Sequence, residues 1–488
     1  MFNKLILLFW LFAFIHLNGC AVNPVTGKQD LVLMSEQDEI ALGNKTSQEV
    51  LKQYRVYENE ALQRYVQRIG NRLALNSHRS GLDFKFTVLD SKEVNAFALP
   101  GGHIYITRGL MAYLKSEAEL AAVLGHEIGH VTARHSVRQY SANQLTNFGV
   151  ALGSIFIPGM NQATNQLAQM FGTALLRGYG REHELEADSL GAEYLARTNY
   201  DPEAMIDVIA VLKDQEVFET EVARQEGREP RVYHGVFSTH PDNDTRLHEV
   251  VNKAKALSNQ GKVNFVGEQE YLTYIDGMIF GDSPQEGILR NNNFYHEELG
   301  FAATFPAGWN VSNLPDRILL ASPGNKALMQ ISAEPMDKKL SPRNFLIQRL
   351  GLTNLSDEES FKANGLSAYS GISVINSSIG QRPTRFTVVY LGQHAYIFAG
   401  MTEKARQLRG FDKTFIDTAK SFRQLKGNEK QYAKPLRIAV QQTGADTSFA
   451  KLAKTTPLDK YQEQQIRLLN GKYPNGNLMP GEWLKTIQ

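Results

Sequence analysis

Cysteine is almost missing from this chain: there is one, Cys20, among 488 residues. An intrachain disulfide is therefore excluded. Net charge is missing too, because 52 basic residues face 51 acidic ones for a formal charge of +1. That balance excludes a general attraction to nucleic acid or anionic lipid. Apart from Leu5 to Ile15, no apolar run approaches a membrane span. Internal repeats are absent, and so is a glycine-rich phosphate loop. What remains, 42% apolar and 21% charged residues, is the composition of a globular body, and the length suggests two to four domains.

Lys4 precedes the eleven apolar residues Leu5 to Ile15. That length is short for a bilayer crossing and right for a signal-peptide core. Leu17-Asn18-Gly19-Cys20 follows and resembles the lipobox of bacterial lipoproteins, which is cut before a cysteine that receives lipid. The resemblance implies a signal peptide over 1–19 and a lipid anchor on Cys20. Asp after the cysteine commonly retains lipoproteins in the inner membrane. Ala21 stands there instead, which implies an outer-membrane anchor facing the periplasm. An uncleaved anchoring helix is the other reading.

The chemistry begins at His126-Glu127-Ile128-Gly129-His130. On a helix this H-E-x-x-H spacing puts both imidazoles on one face, one turn apart, where both can reach one metal ion. Glu127 falls beside them, close enough to take a proton from a water that the metal activates. The surrounding residues support a helix over 116–140. Ser116 with Glu119 forms a capping box, and Glu117 and Glu119 suit the positive end of the helix dipole. Arg134 and Arg138 suit the other end. Leu120, Val123, Leu124, Ile128 and Val131 form an apolar stripe. Gly125 and Gly129 cost a helix ~1 kcal/mol each, so they imply another element packed closely against the metal-bearing turn. A buried helix with two satisfied histidines is the plain alternative.

A catalytic zinc usually has three protein ligands and one open position. Candidates for the third stand in Glu182-His183-Glu184-Leu185-Glu186-Ala187-Asp188. Glu184 and Asp188 share a helix face, so one can bind metal while the other accepts the N–H of a ligand histidine. Glu182 and Glu186 form a similar pair on another face, and spacing alone leaves the choice open.

H-E-I-G-H followed by E-L-E-A-D resembles the zinc metallopeptidase family of HtpX, the CAAX prenyl endoprotease and the periplasmic BepA-type proteases. The resemblance implies one Zn2+ per chain, held by His126, His130 and Glu184, with Asp188 behind a ligand histidine. Asn95 to Leu110 looks like the family's strand before the active-site helix. Ser238-Thr239-His240-Pro241 with Arg246 looks like its late H-P…R motif. In BepA-like relatives the matching histidine can fill the open zinc position, which implies a regulatory fourth ligand at His240. The matching arginine lies close to the developing oxyanion, which implies a catalytic Arg246. From the residues themselves, Pro100-Gly101-Gly102 is a turn, and His103-Ile104-Tyr105 is a strand. An edge strand there could hold an extended substrate by its backbone.

The expected fold is α+β and multidomain. A mainly helical, zincin-type protease domain with a small edge sheet covers 20–285. Ser35 to Asn76 reads as helical. Residues 141–180, Gly-rich and low in charge, read as a packed helical hairpin, or else as a mobile lid or partner-binding surface. An antiparallel α+β domain, faintly PsbP-like at Gly300 to Trp309, covers 290–425, and a polar linker follows at 426–435. Residues 436–488 resemble a degenerate LysM module of βααβ order, in which Ala445 interrupts the usual Gly-Asp-Thr. The function implied is a zinc endopeptidase of the cell envelope that removes misfolded or misassembled envelope proteins. Its partners would be protein substrates, the outer-membrane assembly machinery, peptidoglycan through the C-terminal module, and a membrane through the lipid. The alternative is a periplasmic assembly factor or chaperone with a latched zinc site.

Overall fold

The computed structural model describes residues 20–32, 34–141, 179–227, 230, 243–258, 264–314, 317–336, 340–377 and 380–488. The expected signal peptide, the insertion at 142–178 and His240 lie outside them. No helix among the described residues is long and apolar enough to cross a membrane. The chain divides into two compact units. The described residues of Met1–Phe280 with Arg437–Gln488 form the first, and Gly281–Leu436 the second.

The first unit opens with a hairpin of β1 (Cys20–Val22) and β2 (Gln29–Leu31). The single helical stretch read over 35–76 is two helices, α1 (Glu36–Gln53) and α2 (Glu60–Ala74). Asn59 explains the break: its side chain accepts the Leu62 N–H at 3.0 Å and starts a new helix. Leu62, Val66, Ile69 and Leu73 then recur at helical spacing and are buried.

Next come β3 (Lys85–Leu89), β4 (Ala96–Ala98) and β5 (His103–Thr107), in the sheet order β3-β5-β4. This corrects the reading of His103, Ile104 and Tyr105 as an edge strand. They lie in the middle strand, with β3 parallel on one side and β4 antiparallel on the other. The turn is the cause. Gly101 and Gly102 adopt φ 76° and 92°, open to glycine, and fold β4 back along β5. The outer strands are β3 and β4.

A short helix α3 (Arg108–Tyr113) leads into α4 (Glu117–Thr132), whose residues are all buried. The Ser116 hydroxyl accepts the Glu119 N–H at 3.1 Å. The Glu119 carboxylate reaches one residue further than a capping box requires and accepts the Lys115 N–H at 2.8 Å. Then follow α5 (Arg181–Arg197), α6 (Ala204–Gln225), α7 (Asn243–Ser258), α8 (Glu268–Ile275) and β6 (Ile279–Phe280).

The second unit is antiparallel, as the alternating pattern predicts. One sheet has four strands: β7 (Ile288–Arg290), β8 (Asn293–His296), β9 (Phe301–Thr304) and, last in sequence, Arg423–Gln424. A seven-stranded sheet is built from residues 310–402. The helix Leu408–Ser421 packs Phe415 into a core with Phe294, Phe301, Phe398 and Phe422. Residues 427–433 form a 3-10 helix, and Ala433 is buried against Tyr295 and Ala302.

The C-terminal residues run strand, helix, helix, strand, with the strands Leu436–Gln442 and Trp483–Ile487 antiparallel. The first of these strands also pairs with β6, so this segment is part of the first unit's framework. Lys485 anchors it from a buried position. The buried Nζ donates to the carbonyls of Ala112 and Leu114, at 2.7 Å each. Burial pulls this amine down to about 7, against the pull of Glu119. Lys485→Ala strands both carbonyls and is expected to cost about 1–3 kcal/mol. An earlier urea midpoint would register it, and an unchanged midpoint would refute the anchoring role.

Candidate metal centre

Two helices meet at glycines. A Cβ on Gly125 of α4 would lie 3.4 Å from the Cα of Gly191 on α5. One turn later, a Cβ on Gly129 would lie 3.0 Å from the Ala187 carbonyl oxygen. The close packing that these glycines imply in the sequence is therefore packing against α5. It brings short carboxylates of α5 within reach of the imidazoles of α4.

The Nε2 atoms of His126 and His130 are 3.0 Å apart. Glu184 presents Oε2 to His126 Nε2 and Oε1 to His130 Nε2, both at 3.5 Å. One donor atom from each of the three buried residues falls within 4.8 Å of the others. The helix face decides among the glutamates. Glu184 is wholly buried, whereas Glu182 is exposed and Glu186 turns to another partner.

Behind His126, Nδ1 lies 2.8 Å from Asp188 Oδ1. Arg246 of α7 grips the same carboxylate with two nitrogens, each at 2.8 Å, and its third lies 3.4 Å from Glu184. Burial works against the Asp188 charge, yet Arg246 and His126 reverse this and hold the carboxyl down at about 2. Burial likewise opposes the Arg246 charge, but Asp188, Glu184 and Glu127 hold the guanidinium firmly protonated. Arg246 thus reaches two of the carboxylates that frame the site, Asp188 and Glu184. Glu127 is buried on the turn between the two histidines.

Behind His130 the partner is another histidine, His135, with the Nδ1 atoms 2.8 Å apart. The Tyr179 ring stacks on His130 at 4.0 Å and 17°, and its hydroxyl pairs with Ser136 Oγ at 2.6 Å. His135 and Tyr179 were not identified from sequence, and Glu186 was considered there only as a possible metal ligand. His135 stands five residues after His130, outside the i, i+4 rule, and only its place in a histidine-rich run hinted at it.

Residues 60–254 match the family model described as Peptidase family M48. The chain carries an M48 peptidase domain. The Beta-barrel assembly-enhancing protease of Yersinia pestis is 31% identical over 258 residues, 51% of this chain and 50% of that protein. That of Escherichia coli (strain K12) is 34% identical over 207 residues, 40% and 39% of the two chains. The Mitochondrial metalloendopeptidase OMA1 of Arabidopsis thaliana is 32% identical over 151 residues, 31% and 30% of the two chains. The chain thus spans about half the length, or less, of these curated relatives.

The donor set of the M48 domain fits zinc. Two imidazoles and one carboxylate converge in a buried site, and each imidazole's other nitrogen is engaged from behind. Of the other residues singled out in the sequence, Cys20 opens β1 and His103 lies on β5, its Nε2 2.8 Å from Asn44 Oδ1. The α4–α5 contact makes a sharp prediction. Gly129→Val drives a branched side chain into Ala187 and costs roughly 1–3 kcal/mol of packing. Parting the helices also draws Glu184 from the histidines, so zinc affinity should fall at least tenfold in chelator competition. Wild-type affinity would show that the close approach does not set the site.

Proposed function

We propose that this chain is a zinc-dependent endopeptidase of the bacterial cell envelope, acting on misfolded or misassembled envelope proteins. The observation that carries the reading is the convergence of His126 Nε2, His130 Nε2 and the Glu184 carboxylate beside the buried Glu127. Bound zinc supplies a Lewis acid that polarises the scissile carbonyl and makes water a nucleophile near neutral pH. Glu127 takes the proton from the attacking water and returns it to the leaving amine. Asp188 keeps His126 turned so that Nε2 faces inward, and Arg246 keeps Asp188 charged.

An extended substrate pairs with the edge strand β4 rather than with β5. Ala98, at the end of β4, lines a small cavity together with His130. The envelope setting is supported by the relatives named for beta-barrel assembly and by the lipobox-like residues before Cys20. His240 remains the candidate for a fourth, regulatory ligand, and peptidoglycan a candidate ligand of the C-terminal segment.

Removal of the metal is the direct test. Purified protein treated with a chelator should lose casein cleavage, and one equivalent of zinc per chain should restore it. Full cleavage by metal-free protein would overturn the reading.

A further inference from the structure

The two ligand histidines are supported in different ways. His126 backs directly onto a carboxylate. His130 backs onto His135 at 2.8 Å, and His135 Nε2 lies 3.0 Å from Glu186 Oε2. Arg138 Nη1 donates to the same oxygen at 3.0 Å, and its Nε lies 3.5 Å from Asp30 of the N-terminal hairpin. His135 is fully buried, and its ring is stacked against His183 at 4.3 Å.

Proton placement makes this row directional. Two neutral imidazoles that face each other through Nδ1 form a hydrogen bond only if one carries its proton there and the other does not. A metal on His130 Nε2 leaves the proton on His130 Nδ1, so His135 Nδ1 must accept. The His135 proton then lies on Nε2 and is donated to Glu186. Of the neutral tautomers, this one satisfies the whole row.

The backbone shows how His135 comes to be there. On an unbroken helix, a residue five positions on points well away from His130. Here the helix ends at Thr132, and Arg134 adopts a left-handed φ of 55°, which turns the chain back. Arg134 is held in that conformation by Glu39 of α1 at 2.9 Å and by the Met34 carbonyl at 3.1 Å. Arg79 binds the same Glu39 at 2.7 Å and donates to the Val131 carbonyl at 3.0 Å, which fixes the last turn of α4.

We infer that His135 and Glu186 are positioning residues for His130, and that the N-terminal arm, through Glu39 and Asp30, sets the turn and charge that hold them. This rests on the metal-centre reading above. It adds that zinc affinity depends on a His135–Glu186 pair behind His130 that never touches the metal.

The test measures zinc dissociation constants by chelator competition, and cobalt absorption spectra, on the full chain. His135→Phe keeps a ring but no acceptor and should weaken zinc binding ten- to a hundredfold. His135→Gln, whose amide oxygen can accept from His130, should recover much of that loss. Glu186→Gln should weaken binding about tenfold and shift the cobalt bands. Wild-type affinity and spectrum in both His135→Phe and Glu186→Gln would overturn the inference while leaving the metal centre intact. Equal losses in His135→Phe and His135→Gln would also overturn it, because a packing defect would then explain both. If the wild-type chain itself takes up no zinc, the metal-centre reading falls, and this inference with it.

Discussion

Glu127→Gln stops peptide-bond hydrolysis while zinc stays bound. The expected fall in kcat/KM is about 10²–10⁴-fold, the usual worth of a positioned general base. The substitution replaces one carboxylate oxygen by an amide of the same shape, so packing in this buried turn is conserved. Glu127 is not among the three converging donors, so the metal content should not change. Both readouts are needed. Zinc content near one per chain with no casein cleavage assigns Glu127 to the chemistry. Cleavage within tenfold of wild type would remove it as the base, and loss of zinc would place it in metal binding instead.

Arg246→Leu should strongly destabilise the first unit. The guanidinium and the Asp188 carboxylate are both buried and share two hydrogen bonds at 2.8 Å. Removing one partner of a buried pair leaves an uncompensated charge and costs roughly 3–5 kcal/mol. His126 suffers as well, because Asp188 without its counter-ion no longer stays reliably ionised behind it. Arg246→Lys should rescue only part of the loss, since an ammonium cannot fork across both oxygens.

The pH dependence of this pair has a definite sign. Asp188 is held down at about 2 in the folded chain, below its ordinary 3.8. Its contribution is therefore fully present above pH 3.8 and is lost as pH falls towards 2. Urea unfolding of metal-free protein should show a large gap between wild type and Arg246→Leu at pH 7. The gap should close over that acid window. A variant as stable as wild type at pH 7 would show that the pair contributes nothing.

How far the sequence could be read follows the range of the forces involved. The helix that carries His126, Glu127 and His130 was legible because capping, dipole and apolar spacing all act within a turn or two. The glycines at 125 and 129 announced a close neighbour without naming it. The choice of Glu184 over Glu182 and Glu186 was not legible from spacing, which all three satisfy, and came only with the family resemblance. It depends on the rotation of α5 about its axis, which the crossing with α4 imposes. The strand at 103–107 was visible, but its place in the middle of the sheet was not. That place depends on β3, which lies earlier in the chain, and on a glycine turn that folds β4 alongside it. The packing of residues 437–488 into the first unit was equally hidden, because Lys485 meets carbonyls more than 370 residues away.

The residues of H-E-x-x-H and their neighbours by themselves determined a helix with two histidines on one face and a candidate base beside them. The resemblance to a family pointed to Asp188 behind one of the histidines; the tertiary structure decided that this histidine is His126, that Arg246 backs Asp188, and that His135 and Glu186 stand behind His130. The reason is geometric. A periodic pattern specifies which side chains share a face, but the partners of that face come from helix crossings and a left-handed turn at Arg134, and these are set by distant segments of the chain.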